Sequence, residues 1–412
     1  MKVDDDVPYS IDDVTAGWLS RGLQGSGVIQ DCAVTDFTMK VLGDQVGFNG
    51  EVAIIAPTYT PPSAAAPASL ALKIPTASKN RILGQTMGLY EKEIRFYRDL
   101  QPGLSIRTPR HYYSALDVAD DPDVILARLQ GMNRLPIWMI RGIMALAKRF
   151  VAGNPRRYAL LIEDLSSYRM GDQAAGCSHD DVRNIISTMA LLHGQFWASE
   201  SLSGMSWITP YAVTSRIMQM RFLQGVDRYL ADAGASLTPA RRDLVGWLRS
   251  NGIELTERLG AEPATLLHGD FRLDNICFDD ATGEIVLFDW QTMLAGPGAS
   301  DLAYFISATL PEDTEEAEVN DLIDLYHGEL ARQGVDVPRD RLRWQYEMGM
   351  LTMLHRVLPT TYPEQMDLGD GRGLPLLQAW ISRIYARLEP VDHRRILERT
   401  GRPRSRPQRP VA

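Results

Sequence analysis

The chain has 412 residues, enough for two lobes and at least one large core. It is 45% hydrophobic and 23% charged with a formal charge of −9, a balance that excludes a protein built mainly to hold nucleic acid or an anionic membrane. Three cysteines, Cys32, Cys177 and Cys277, are too few and too scattered for a disulfide framework or a thiolate metal site, and they point to a reducing compartment.

In chain order, the acidic start MKVDDDVPYS lacks the apolar stretch of a signal peptide, so a cytoplasmic protein is expected. Residues 11–24 place Ile11, Val14, Trp18, Leu19 and Leu23 toward one side of an amphipathic helix. AVTDFTMKVLGDQVGFNGEVAIIAPTY then predicts two strands around a glycine-containing turn, a hairpin. SLALKIP, Ser69 to Pro75, is a third strand closed by its proline. GLYEKEIRFYRDL has helical periodicity, with Leu89, Ile94, Phe96 and Tyr97 apolar. RYALLIEDL, Arg157 to Leu165, reads as a buried strand leading into a polar connection.

Before that strand lies LPIWMIRGIMALAKRFVAGNP, a helix that Pro136 opens and Asn154–Pro155 stops. Arg141, Lys148 and Arg149 make it too costly to span a bilayer. It is nevertheless more apolar than an exposed helix should be. Three readings stay open: packing on the N-terminal lobe or on a second copy (a homodimer through residues 135–153), a hydrophobic wall over a substrate, or contact with a membrane surface.

The pattern changes after residue 165. SHDDVRNIISTMALLHGQFWAS is a helix with Ser178 as N-cap and Asp180 and Asp181 in its first turn. Further helices run to about residue 258. ICFDDATGEIVLFDW is a second hairpin, and helices continue to about 399. One of them is expected to begin near Pro311, at the acidic run PEDTEEAEVND. The Arg- and Pro-rich tail has no apolar face and should be disordered. The expected organisation is an N-terminal helical extension (1–29), a β-rich nucleotide-binding lobe (30–165, with a helical insertion at about 120–156), a mainly helical catalytic lobe (166–399) and a disordered tail (400–412).

The strongest chemical signal is LLHGDFRLDN followed by FDW. Asp270, an Asn five residues later and a second Asp after a short hairpin are the groups that phosphoryl transfer requires in that order. A carboxylate at 270 would orient an attacking hydroxyl and accept its proton. The Asn275 amide oxygen and the Asp289 carboxylate are hard ligands suited to Mg²⁺, brought together by the hairpin. Lys73 is the second signal, a lone cation in an apolar strand with no packing reason to be there.

LLHGDFRLDNICF, IVLFDWQ and DLAYFI together resemble the catalytic core of the aminoglycoside phosphotransferase and choline kinase superfamily. GDQVGFNGE, YEKEIRFYRDL, LLIEDL, GDQAAGCS and LLHGQFW are similar to its bacterial ecdysteroid kinase-like branch. The resemblance covers roughly residues 30–310. It implies an α+β, two-lobed protein-kinase-like fold with ATP and Mg²⁺ in the cleft. It also implies Asp270 as base, Asn275 and Asp289 as metal ligands, and His268 and Asp301 as braces of the loop. Lys73 would hold the α- and β-phosphates with Glu93 as its partner, Glu91 being the other candidate. Arg272 stands where protein kinases carry a phosphate-contacting lysine, so it would reach the γ-phosphate or make a surface ion pair. Gly47 and Gly50, with Gly43, would cover the phosphates, although their spacing departs from G-x-G-x-x-G. The backbone at Glu163 and Leu165 would pair with the adenine edge.

These residues describe a small-molecule kinase acting on a hydroxyl. Only nine residues separate Gln291 from Asp301, which leaves no room for the long activation segment of a protein kinase. No converging acidic cluster for a polycation is apparent, so an apolar or amphipathic alcohol is the expected acceptor. An aminoglycoside-type kinase and a catalytically silent nucleotide-binding module are the alternatives. Candidate acceptor-side residues are Phe196, Trp197, Trp207, Tyr211, Met218, Met220, Tyr304 and His355, all equally compatible with core packing.

Overall fold

The computed structural model describes residues 6–42, 50–76, 80–233, 236–361 and 373–399, without the Leu83 side chain. The expected tail at 400–412 lies outside the described residues, as do Gly43 and Gly47.

The first amphipathic stretch is not one helix. Ile11–Asp13 makes a single 3-10 turn; Val14 and Thr15 are then extended, and the Thr15 hydroxyl accepts from Trp18 N at 3.1 Å to start α1 (Ala16–Gly25). That cap satisfies a donor that would otherwise be unpaired at the helix start. Strands β1 (Ala33–Leu42), β2 (Gly50–Thr60) and β3 (Leu70–Pro75) follow. Helices α2 (Asn80–Thr86) and α3 (Leu89–Arg95) come next, joined at Gly88, whose φ of 66° suits glycine. The helical periodicity expected through Leu100 is only partly α-helix, since Phe96–Leu100 widens into one π-turn.

Strand β4 (His111–Leu116) and strand β5 (Tyr158–Glu163) complete an antiparallel sheet of order β1-β2-β3-β5-β4. β4 is absent from the sequence reading. Its burial does not alternate, and its register shifts between His111 and Tyr113, so the period-2 signal is missing. The insertion between β4 and β5 is two helices, α4 (Pro122–Met132) and α5 (Ile137–Gly153), rather than one.

The second lobe opens with β6 (Arg169–Met170) and α6 (His179–Phe196), where Ser178 Oγ accepts from Asp181 N at 3.1 Å. Then come α7 (Glu200–Ser203), α8 (Ser215–Ala233) and α9 (Pro239–Leu259). Short strands β7 (Thr265–Leu267), β8 (Ile276–Asp279), β9 (Glu284–Leu287) and β10 (Leu294–Gly296) carry the catalytic motifs. Helices α10 (Ala299–Thr309), α11 (Glu316–Arg332), α12 (Arg339–Val357) and α13 (Gly373–Leu388) finish the lobe. The helix expected near Pro311 begins at Glu316. Arg387 takes the carbonyls of Pro311 and Thr314, so those groups are held in a turn instead of an α-helical ladder.

One large apolar core fills the second lobe around α6, α10 and α12, and a separate core lies between α1 and the sheet. α5 packs Ile140 and Met144 against Ile217 and Met220 of α8 and also touches α2, so the insertion bridges the lobes. Its outer face leaves Trp138 74%, Leu146 70% and Phe150 69% exposed. No described helix is long and apolar enough to cross a membrane.

Candidate active site

Lys73 enters the cleft from the middle of β3, paired in register with Val52 of β2 and Leu160 of β5. Its ammonium donates to Glu93 of α3 at 2.9 Å and to Asp289 Oδ1 at 2.7 Å. This resolves the choice of partner, because Glu91 is held elsewhere, by Arg95 at 2.8 Å and by the Asp120 amide at 3.1 Å. Burial works against the charged lysine, yet the nearby Asp289 and Glu93 outweigh it and raise its pKa. Burial also pushes the Glu93 carboxyl upward against the pull of Lys73, with the Asp289 charge adding to the rise. Gly50 lies beside the lysine stem. A Cβ there would stand 3.0 Å from Lys73 Cε, so the glycine leaves room for the side chain.

The loop after β7 carries Asp270. Gly269 precedes it with φ 79°, and a Cβ at that position would meet Thr292 O at 2.4 Å, which makes glycine necessary for both conformation and space. Asp301, at the start of α10, accepts from His268 N at 2.7 Å and Gly269 N at 3.1 Å. His268 is fully buried and donates from Nε2 to Phe288 O at 2.9 Å, tying this loop to the end of β9. Both residues brace the loop and neither faces open space.

The Asp270 carboxylate is gripped on both oxygens. Tyr304 donates to Oδ1, and the Asn275 amide donates to Oδ2 at 2.9 Å. Asn275 also donates to the Asp270 carbonyl at 2.9 Å, which turns its amide oxygen the other way. Burial would raise the Asp270 pKa. The Arg272 charge and the Tyr304 and Asn275 hydrogen bonds outweigh it and lower the pKa below the usual carboxylate value. Arg272 is no surface ion pair. It is only 19% exposed and stands 3.4 Å from Asp270 Oδ2 and 3.3 Å from Asp274 Oδ2.

The second hairpin sets Asn275 opposite Phe288, the residue before Asp289. Ile276 pairs with Leu287, and Phe288 N donates to Asn275 O at 3.1 Å, so the residues flanking that pair face one another. Asp289 has φ 64°, a left-handed conformation uncommon outside glycine and often kept at functional positions. Glu163 and Leu165 follow β5. The Glu163 side chain is bound by Arg107 at 2.6 Å, its amide donates to Arg110 O at 2.9 Å, and Leu165 O accepts from Tyr168 N at 3.0 Å.

Two participants escaped the sequence reading. Tyr304 stood there only as a generic acceptor-side aromatic. Its position three residues after Asp301 on α10 is the signal that both face the same loop. Gln173 takes Leu273 N at 2.8 Å while its own amide donates to Ala308 O at 2.6 Å, holding the loop between Asp270 and Asn275. Gly171 beside it has no space for a side chain: a Cβ would stand 2.2 Å from Leu273 O.

A cavity of about 480 Å³ opens from Asp270 toward the helices of both lobes. Trp207, Met218, Leu376 and Trp380 contribute apolar wall, and α4 adds Ile125 and Leu129. Thus α4, rather than the more apolar α5, is the part of the insertion that walls the cavity. Of the other expected acceptor-side aromatics, Tyr211 and Phe196 are core residues, and His355 is fully buried, bonded to Gln219 at 2.8 Å.

The ecdysteroid kinase-like family model matches residues 58–335, well over half of the chain. The chain belongs to the ecdysteroid kinase-like family. The two lobes with the cleft between them are those of a protein-kinase-like fold. The solved ethanolamine kinase of Plasmodium vivax aligns with a TM-score of 0.50 at 10% identity, over 87% of this chain and 84% of that one, a likeness of fold alone. A choline kinase from Cryptosporidium parvum Iowa II aligns at TM-score 0.48 and 8% identity over 85% and 88% of the two chains. Among curated proteins, acyl-CoA dehydrogenase family member 11 of Pongo abelii is 32% identical over 122 residues, 29% of this chain but 14% of that protein. The human protein of the same name is 31% identical over 121 residues. The match spans about one-seventh of the length of these relatives.

Proposed function

We propose that this ecdysteroid kinase-like protein transfers the γ-phosphoryl group of ATP, with Mg²⁺, to a hydroxyl of a small amphipathic alcohol. The observation that carries the reading is Asp270. It is an ionised carboxylate, oriented on both oxygens and opening onto a largely apolar cavity, with the Lys73–Glu93–Asp289 cluster across the loop.

Asp270 would receive the acceptor's O–H as a hydrogen bond and aim the oxygen lone pair at the γ-phosphorus. The new P–O bond forms as the bond to the ADP oxygen breaks, and the hydroxyl proton passes to Asp270. Because its neighbours hold Asp270 ionised against the effect of burial, its main contribution is orientation, with proton acceptance late in the step. Lys73 would neutralise the α- and β-phosphates, kept in place by Glu93. The Asn275 amide oxygen and the Asp289 carboxylate fit a divalent ion chemically, being hard oxygen donors at the same end of the hairpin, with Asp289 next to the residue that faces Asn275. Among the described residues no cluster of three or more His, Cys, Asp or Glu forms a metal site, so nucleotide phosphates and water would complete the ligand set. When bound, Mg²⁺ would polarise the phosphate oxygens. Arg272 would share its charge between Asp270 and the γ-phosphate. Gly50 and, outside the described residues, Gly47 would pass close to the phosphates, with the Glu163 carbonyl and Leu165 amide facing adenine.

The test uses ATP labelled in its γ-phosphate, a panel of alcohols and mass spectrometry. Labelled phosphomonoester should form with the wild type. With Asp270→Ala it should fall by about 10²–10⁴-fold while nucleotide-induced thermal stabilisation is retained. Equal turnover by Asp270→Ala would refute the assignment, and nucleotide stabilisation without any labelled product would favour a silent binding module. An aminoglycoside acceptor is disfavoured, because the described carboxylates lining the cavity are all engaged by cations. We also propose a cytoplasmic setting, consistent with three free cysteines, and self-association through the exposed apolar face of α5. Sedimentation that stays monomeric at every concentration would exclude that second copy.

A further inference from the structure

The charges lining the acceptor cavity do not balance. Its carboxylates each have a cation: Glu91 has Arg95, Asp120 has Arg156, Asp270 has Arg272 and Asp289 has Lys73. Three cations in the same wall have no acid among the described residues. Lys92 of α3, Arg221 of α8 and Arg356 of α12 line the cavity, and none makes an ion pair or a hydrogen bond with any described residue. Arg356 lies 4.4 Å over the Tyr211 ring, and its Nε is buried with no hydrogen-bond partner. Burial lowers the Arg221 pKa with no acidic neighbour among the described residues to offset it, and the Arg221 charge in turn adds to the lowering of Lys148 of α5. Burial alone pushes the Lys92 ammonium down to about 8, with no carboxylate to oppose it. A fourth cation, Arg383, is different: it donates to Ala308 O and has Glu312 nearby.

Half-buried cations without counterions are costly, and folded proteins seldom keep three in one cavity unless something of opposite charge occupies it. The rest of the wall, Ile125, Leu129, Trp207, Met218, Leu376 and Trp380, suits an apolar body. We propose that the acceptor is an amphipathic alcohol that also carries an anionic group, a carboxylate or a phosphate ester, held by Lys92, Arg221 and Arg356. This rests on the reading of Asp270 as the group that takes the acceptor hydroxyl. A volume of about 480 Å³ accommodates such a molecule with a medium-length chain. The same cations would repel a polycationic or quaternary-ammonium acceptor.

Binding is measured by calorimetry on the full chain with bound nucleotide, for a medium-chain ω-hydroxy fatty acid, its methyl ester and the matching ω-hydroxyalkyl phosphate. The wild type should bind at least one of the anionic probes about tenfold or more tightly than the ester. Arg221→Gln and Lys92→Gln should each reduce that ratio to about threefold or less, and Arg221→Lys should restore part of it, which a misfolded variant would not do. The stronger anion of the two identifies the group recognised. Failure of both anions to bind, ester binding as tight as theirs, or a ratio that survives Arg221→Gln, Lys92→Gln and Arg356→Gln would each overturn the proposal. Transfer of labelled phosphate is read in parallel. Selective anion binding without transfer counts against the kinase reading and leaves the anion site standing, whereas equal transfer to acid and ester does the reverse.

Discussion

The cleft around Lys73 and the cavity beyond Asp270 treat charge in opposite ways. In the cleft each charge has an oppositely charged partner, with Lys73 between Glu93 and Asp289 and Asp270 between Arg272, Tyr304 and Asn275. In the cavity Lys92, Arg221 and Arg356 face space without an acid among the described residues. A network satisfied by the protein itself is preorganised and needs no ligand to hold its geometry. An unsatisfied one is stabilised only when a ligand arrives. Charge-removing substitutions should therefore destabilise the free protein in one region and stabilise it in the other.

The largest effect belongs to the cleft. Lys73→Met leaves two buried carboxylates facing each other and should cost about 3–5 kcal/mol of unfolding free energy in urea melts. Adding Glu93→Gln to it should recover part of the loss, because the repulsion disappears with the second charge. A single variant as stable as wild type would mean that the cluster is not the dry, paired unit described here. Next is Asp301→Ala, which strips the acceptor from His268 N and Gly269 N. Each orphaned buried donor costs about 1–3 kcal/mol, and turnover should fall with stability because the same two bonds aim Asp270.

In the cavity the sign reverses. Lys92→Met, which keeps the stem and removes the charge, should stabilise the ligand-free protein at neutral pH by about 1 kcal/mol. The pH dependence follows the same logic. The Lys92 pKa is depressed to about 8 in the folded state, so between about 8 and the unfolded value of 10.5 the unfolded chain binds more protons. Stability should rise with pH across that window, and the rise should vanish in Lys92→Met. A flat wild-type profile there would contradict the unpaired placement.

Much of the cleft was legible because its parts are local in sequence or lie in recognisable elements. Lys73 announces itself as a cation in an apolar strand, and Asp270 and Asn275 sit on one short loop. The cavity was not legible. Lys92, Arg221 and Arg356 lie on three helices far apart in the chain, each an ordinary basic residue in a helical stretch, and only packing brings them to one wall. A cluster of acids would mark a polycation site, whereas the unusual groups in this cavity are bases. Tyr304 and Gln173 were obscured for the same reason, since their partners Asp270 and Leu273 are long-range in sequence and β4 gave no alternating pattern.

The smallest predicted effect concerns the contact between the two regions, Tyr304. Its hydroxyl donates to Asp270, and burial together with the Asp270 charge raises the tyrosine pKa far above its ordinary value, so it stays a donor throughout the working range. Arg272, Tyr304 and Asn275 together hold Asp270 below 3.8, against burial. Tyr304→Phe removes one of these supports and nothing of the aromatic body that packs against Trp380 at 4.5 Å. At neutral pH Asp270 remains ionised in either protein, so the loss of turnover should be about tenfold or less, reflecting orientation alone. On the acid side the two should diverge. A carboxylate with a depressed folded pKa stays charged until the pH falls through that value, and losing the hydrogen bond moves the acid limb of kcat/KM upward. If the limb stays put while the neutral rate falls, Tyr304 acts by position only. If both move, the hydrogen bond tunes the base as well as aiming it.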